Sequence, residues 1–304
     1  MPEEPRSSPD LAWDPIELKH RTVKVNGVFL HLAEAGSGPL VILLHGFPEN
    51  WQAWNRQIPA LASSGYRVIA PDLRGYNFSE KPIGIAKYRL DLLSNDISAL
   101  IDHLGEKAVI LMGHDWGGVI AWHLAASHPE QIAKLVIINA PHPAKYFESL
   151  WRTGQLFRSW YVFFFQLPIL PEIFIRRNNF QSLRMLFATE PTRSDAFSKD
   201  QVNAYIQGFS APGYLNAAIN YYRAGFRYGV EIIKSLPAFV MAPTLVIWGE
   251  KDRYLDLHLL DDLESRVPHL TIEKIPNASH WVLAEEPETV NRSILRFLSL
   301  FGEV

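Results

Sequence analysis

Cysteine is absent from all 304 residues. That excludes disulfides, a thiol nucleophile and thiolate metal sites, and it leaves the compartment open. A strong charge of either sign is also missing. Lys and Arg number 29 against 32 Asp and Glu, a net charge of −3, so the overall charge points to neither nucleic acid nor an anionic membrane as partner. No long unbroken apolar run occurs. The most membrane-like stretch, "WYVFFFQLPILPEIFI" (160–175), is interrupted by Gln166, Pro168, Pro171 and Glu172 and is too short to span a bilayer. It reads as core or lid packing, with contact at a membrane interface as the alternative. The N-terminal "MPEEPRSSPDLAWDP" is acidic and Pro-rich, where a secretory signal needs a basic start and an apolar run. Residues 1–20 read as a loose arm, and a cytoplasmic protein is the expectation.

The composition, 48% apolar and 20% charged, suits a globular chain with a sizeable core. The length fits one large α/β domain with an insertion, or two domains. Three short apolar runs each lead into a polar turn. "LVILL" (40–44) precedes His45-Gly46-Phe47-Pro48, "AVILM" (108–112) precedes Gly113-His114-Asp115, and "TLVIW" (244–248) precedes Gly249-Glu250-Lys251-Asp252. Such runs suit strands buried on both faces of a parallel sheet. "RVIAPD" (67–72), "KLVIINAP" (134–141) and "LTIEKIP" (270–276) predict three more. Helical patterns at 88–105, 117–128 and 288–301 alternate with them, which implies a doubly wound, mostly parallel α/β sheet. "RTVKVNGVFLHLAEAG" (21–36) predicts an antiparallel hairpin turning at Asn26-Gly27. Between 142 and 236 the alternation stops. That stretch is aromatic and helix-like, and it predicts a helical lid inserted between strands over the sheet's C-terminal edge. The core is then 21–141 together with 237–304.

"MGHDWGG" (112–118) carries the chemistry. Gly113, Gly117 and Gly118 are small where a sharp strand–turn–helix needs small residues, as at a nucleophile elbow. A lone Asp there would be an N-cap, but a plain cap does not ask for three glycines. The central residue is Asp115 rather than Ser. A serine attacking saturated carbon would form an ether, which water does not readily cleave. A carboxylate forms an alkyl ester, which hydrolyses at the enzyme's own carboxyl carbon. Asp115 therefore suits substrates with an electrophilic sp³ carbon and a leaving group, such as epoxides and alkyl halides.

Ester hydrolysis needs a base, a partner for the base, and oxyanion donors. His280 in "NASHWV" falls after the last strand, in the order nucleophile, acid, histidine expected of α/β-hydrolases. Asp252 in "GEKDRY" is its expected partner, with Glu250 and Asp256 as rivals. Asp72 in "PDLRGY" reads as a loop-structuring residue. The expected backbone donors are the N–H groups of Trp116 and Phe47.

"HGFPENWQAW" (45–54), "PDLRGYNFSEKP" (71–82), "GHDWGG" (113–118), the Asp252 turn and His280-Trp281 together resemble the α/β-hydrolase-fold epoxide hydrolases, over residues 20 to 302. The resemblance implies an α/β-hydrolase fold and two lid tyrosines that hydrogen-bond the epoxide oxygen. Matching "SWYVFFFQLP" to the family's first lid motif sets one at Tyr161. Matching "NYYRA" to the second sets the other at Tyr222, with Tyr221 where the family often has Trp. Haloalkane dehalogenases share the core motifs, but many carry Asn where this chain has Phe47. Trp116, with Trp151 or Trp160, is the conceivable halide-donor set for that alternative. A non-enzymatic ligand-binding member of the fold is the second alternative. The expectation is an epoxide hydrolase that needs no metal or cofactor, with a small apolar epoxide and water as partners. No nucleic acid and no transmembrane segment are expected, and the chain is read as a monomer or homodimer.

Overall fold

Every predicted strand joins one eight-stranded sheet in a computed structural model, which describes residues 17–150 and 154–300. The strands are β1 (Lys19–Val25), β2 (Val28–Ala35), β3 (Leu40–Leu44), β4 (Arg67–Pro71), β5 (Val109–His114), β6 (Ile132–Ile138), β7 (Thr244–Gly249) and β8 (Leu270–Ile275). Their spatial order is β1-β2-β4-β3-β5-β6-β7-β8. The first hairpin is antiparallel, β2 runs antiparallel to β4, and from β4 to β8 the sheet is parallel. The hairpin turns at Asn26 (φ 46°) and Gly27 (φ 78°), two left-handed residues as a type I′ turn requires. It starts at Lys19, so the strand begins inside the span read as an arm. Residues 1–16 of that arm lie outside the described residues.

The strand side chains alternate between two cores. On β3, Leu40, Ile42 and Leu44 pack into one layer while Val41 and Leu43 pack into the other, as a period of two dictates. The first layer is built with α2 (Leu90–His103) and α3 (Trp116–Ser127), and the second with α1 (Gln57–Ser63). The helix α3 is buried nearly all round, the signature of a helix in the middle of a structure. Between β6 and β7 every described element is a helix: α4 (Pro143–Ser149), α5 (Gln155–Arg158), α6 (Trp160–Phe164), α7 (Leu170–Thr189, kinked at Arg177 to Phe180 where φ and ψ leave the helical region), α8 (Lys199–Ser210) and α9 (Tyr214–Lys234). The chain closes with α10 (Val282–Glu285) and α11 (Pro287–Leu300), the latter against the second core. No helix of the described residues is long and apolar enough to cross a membrane.

Packing at 160–175 differs from the sequence reading. Phe165 and Ile175 are buried, but Trp160, Phe163, Leu167, Ile169, Leu170, Ile173 and Phe174 are exposed. Pro168 and Pro171 end α6 and restart the chain as α7, so the run does not form one helix with one buried stripe.

The helix α3 approaches the strand-end turns without clearance. A Cβ on Gly117 would lie 2.1 Å from the Leu44 carbonyl oxygen and 2.6 Å from that of His45. Both contacts are backbone, so relief requires moving α3 or β3. Gly117→Ala is expected to destabilise the fold by about 1–3 kcal/mol, read as a lower urea midpoint at unchanged slope.

Candidate active site

The parallel strands end on one edge, and three of their turns converge there. Asp115 follows β5 with a positive φ, at φ 51° and ψ −122°. Its carbonyl accepts the Val119 N–H of α3 at 3.0 Å, so the sharp turn feeds straight into the helix. A positive φ is unfavourable for a residue with a Cβ, and surrounding structure has to hold it. Part of that hold is direct: the Phe47 N–H donates to Asp115 Oδ1 at 2.8 Å. Gly46 permits the approach, since a Cβ there would lie 2.4 Å from the same oxygen. The Trp116 N–H, at the start of α3, makes no hydrogen bond to Asp115 among the described residues. Of the two expected backbone donors, Phe47 is in contact with the carboxylate and Trp116 is adjacent without a bond.

His280 stands on the far side of Asp115, its Nε2 3.7 Å from Oδ2. That is beyond hydrogen-bond distance and leaves the ring nitrogen facing the cavity. The other nitrogen, Nδ1, is 2.8 Å from Asp252 Oδ2. Asp252 is buried, and its remaining valences are filled: Asn139 Nδ2 donates to Oδ2 at 2.7 Å, and the Tyr254 and Leu255 N–H groups donate to Oδ1 at 2.7 and 2.9 Å. The two rivals are elsewhere. Glu250 is exposed, and Asp256 pairs with Arg158 at 3.1 Å. Asp72 sits in a loop network, accepting from the Trp51 N–H and from Asn77 Nδ2, with His31 Nδ1 at 2.7 Å.

A cavity of about 570 Å³ lies over the carboxylate, lined by Asp115, His280, Phe47 and side chains of the insertion. Tyr161 and Tyr222 both line it, with ring centroids 5.7 Å apart and planes at 80°. Burial, then the neighbouring tyrosines and the Asp115 carboxylate, push the Tyr161 phenol well above its usual range. Burial and then Asp115 do the same for Tyr222. Both hydroxyls therefore keep their protons. The preceding residue, Tyr221, points the other way and donates to the Arg74 carbonyl at 2.6 Å, tying α9 to the loop after β4. Trp160 lines the cavity mouth and is 63% exposed. Trp151 lies outside the described residues. Among the described residues no group of three or more His, Asp or Glu side chains converges as metal ligands would.

Two contributors escaped the sequence reading. Asn139 follows β6 with φ 39° and bridges Asp252 to β7, where its Oδ1 accepts the Gly249 N–H at 2.9 Å. An Asn directly after a buried strand was the available signal. Tyr254 lines the cavity with ring contacts at 5.6 Å to both Tyr161 and His280. Its place two residues beyond Asp252 carried no periodic signature.

A carboxylate held at a strained strand–helix turn, a histidine backed by a buried acid, and two tyrosines lining the same cavity as the carboxylate define a hydrolase of the α/β class. A family profile described as alpha/beta hydrolase fold matches residues 39–287. The chain is 42% identical over 285 residues to an AB hydrolase superfamily protein, YfhM, of Bacillus subtilis, covering 92% of this chain and 98% of the relative. It is 39% identical to mouse epoxide hydrolase 4, covering 91% of this chain and 78% of the relative. The crystal structure of an epoxide hydrolase from Bacillus megaterium in complex with an inhibitor superposes with a TM-score of 0.84 at 32% identity, covering 92% and 100% of the two chains. The chain belongs to the epoxide hydrolase family of α/β-hydrolase-fold enzymes.

Burial would lower the basicity of His280, but the Asp252 carboxylate and then Asp115 outweigh it and raise the ring to about 9. Burial would raise Asp252, and His280 with Asn139 holds it below the usual carboxylate range. The folded state binds the His280 proton more tightly than the unfolded chain. Its contribution to stability is therefore complete below about pH 6.5 and is lost as pH rises through about 9. Asp115→Asn removes one of the flanking charges. The His280 ring should then titrate at lower pH than in the parent, followed by NMR of its ring protons. An unchanged or higher midpoint would mean that Asp115 does not act electrostatically on the ring.

Proposed function

We propose that this enzyme adds water to an apolar epoxide through an alkyl ester on Asp115, giving a vicinal diol. The observation that carries the reading is a pair of tyrosines in ring contact that line the same cavity as a carboxylate rather than a serine. Asp115 Oδ2 attacks an epoxide carbon, and the C–O bond of the ring breaks. The leaving oxygen takes a hydrogen bond and then a proton from Tyr161 or Tyr222. An alkoxide is a poor leaving group without such a donor, and a phenol in a dry cavity supplies one. The Phe47 N–H, already on Asp115 Oδ1, is aligned for the oxyanion of the second step. Trp116 supplies the second N–H once the carboxyl carbon becomes tetrahedral.

In that second step His280 Nε2 takes a proton from water, which attacks the ester carbon of Asp115. The acyl C–O bond then breaks, and the imidazolium returns its proton to the departing diol oxygen. The Asp115 carboxylic acid so formed reprotonates the tyrosinate left by the first step. Alkylation neutralises Asp115 and so withdraws one of the charges that raise His280. The first step thereby favours the free base that the second requires. Asp252 holds the ring by Nδ1 and balances the imidazolium that forms. The insertion 142–236 acts as the lid over a core of 21–141 and 237–304, which β1 extends back to Lys19. The wall of aromatic side chains favours an apolar substrate. The same reading keeps a cytoplasmic chain that is a monomer or homodimer.

A single turnover with enzyme in excess in heavy-oxygen water separates covalent from direct attack. The first diol should be largely unlabelled, with label appearing in Asp115. Full label in the first diol would mean direct water attack. His280→Gln should slow ester hydrolysis by ~10²–10⁴-fold, so intact-mass spectrometry should find protein plus one substrate mass on the Asp115 peptide. Normal steady-state turnover by this variant would remove His280 from the reaction.

The tyrosines decide between epoxide and halide, because halide leaves as a stable anion and needs no phenol. Tyr161→Phe and Tyr222→Phe should each slow epoxide alkylation by about one to three decades. The double variant should nearly abolish it, with any alkyl bromide activity falling far less. Parent-rate epoxide opening by a folded double variant would reduce both tyrosines to packing residues.

A further inference from the structure

The insertion carries large apolar side chains on its outside. Phe157, Trp160, Ile169, Ile173 and Phe174 are 81, 63, 68, 59 and 56% exposed. Ring contacts join Trp160 to Phe164 at 6.2 Å and Phe164 to Phe174, which follows Ile173, at 5.8 Å; beside them Phe163 meets Phe226 of α9 at 5.9 Å. Single exposed apolar residues are ordinary, but a contiguous patch of them marks an interaction surface.

Charge on this span has one sign. Residues 157–185 include Arg158, Arg176, Arg177 and Arg184 and a single acid, Glu172. Glu172 is buried and paired with Arg223 at 2.7 Å. Arg158 is paired with Asp256 at 3.1 Å, so the positive charge the span presents is that of Arg176, Arg177 and Arg184, on a chain whose net charge is −3. Arg176 and Arg177 are exposed, and among the described residues neither is held in an ion pair. The patch also meets the cavity: Trp160, Phe174 and Met185 line it and are themselves exposed.

We propose that this face of the insertion docks on an anionic lipid bilayer. Trp160, Ile169 and Ile173 enter the boundary between headgroups and acyl chains, and Arg176 and Arg177 meet lipid phosphates. Apolar and aromatic side chains flanked by basic ones are what holds a protein in the plane of such a surface. A second copy is a poorer occupant. Two like faces brought together would oppose arginines to arginines with no exposed acid within the span to neutralise them. Docking also turns the cavity mouth toward the phase into which apolar molecules partition. That consequence rests on the proposed epoxide activity; the docking itself does not.

Flotation of the full chain with phosphatidylcholine vesicles, and with vesicles of equal parts phosphatidylcholine and phosphatidylglycerol, tests the proposal. The mixed vesicles should bind at least about tenfold more strongly, and added salt should weaken binding. Ile169→Asp with Ile173→Asp, and separately Arg176→Glu with Arg177→Glu, should each weaken binding about tenfold or more. Turnover of water-soluble styrene oxide by both variants should stay at the parent rate. If the parent does not turn over styrene oxide, the epoxide reading fails while flotation still reads docking, with circular dichroism as the folding control. Absence of flotation with the mixed vesicles, or equal flotation of folded variants, would overturn the proposal. So would concentration-dependent dimerisation that Ile169→Asp with Ile173→Asp abolishes, without vesicle binding, which would assign the face to a second copy.

Discussion

Two backbone turns meet over one carboxylate, and the site depends on that contact. Asp115 can stand at φ 51° because β3 and β5 are hydrogen-bonded neighbours whose ends approach without side chains between them. Gly117 lets α3 touch the Leu44 and His45 carbonyls, and Gly46 lets the Phe47 N–H reach Asp115 Oδ1. A strained residue persists only where its surroundings over-determine it. Here a helix start, a parallel strand pair and a donated hydrogen bond all act on the same residue.

Around that turn the charges form a row: Asp115, His280 and Asp252. Burying Asp252 and half-burying Asp115 costs desolvation, which pairing and hydrogen bonds have to offset. At Asp252 the offset is complete, with His280, Asn139 and two backbone N–H groups in contact. At Asp115 it is partial, with one backbone donor and an imidazole too distant for a hydrogen bond. The fully satisfied carboxylate has the geometry of a fixed counter-charge. The partly satisfied one has the geometry of a reactive group. The two aspartates thus differ in their donors, and the proposed roles follow that difference.

The insertion serves two surfaces with one aromatic composition. Its inner side supplies Tyr161, Phe165 and Tyr222 to the cavity, and Tyr221 anchors it to the core through Arg74. Its outer side exposes Ile169, Ile173 and Phe226. Adjacent residues on α9 take opposite duties because a helix rotates each position away from the last. Tyr222 accordingly lines the cavity while Tyr221 reaches the Arg74 carbonyl.

Strand runs, the hairpin turn and the sharp strand–helix turn at Asp115 were legible in the sequence, since periods of two and 3.6 and the need for small residues at tight turns are local constraints. The chain order of Asp115, Asp252 and His280 was legible for the same reason: each follows a strand end, and parallel strands end on one edge. Tertiary structure alone decided which acid meets His280, because Glu250, Asp252 and Asp256 share one turn and only Asp252 has Asn139 beside it. It decided that the Phe47 N–H bonds Asp115 while the Trp116 N–H does not. It also decided that much of 160–175 faces outward, although hydropathy alone suggested packing. Burial and partner choice at those positions are set by segments distant in sequence, and no local period encodes them.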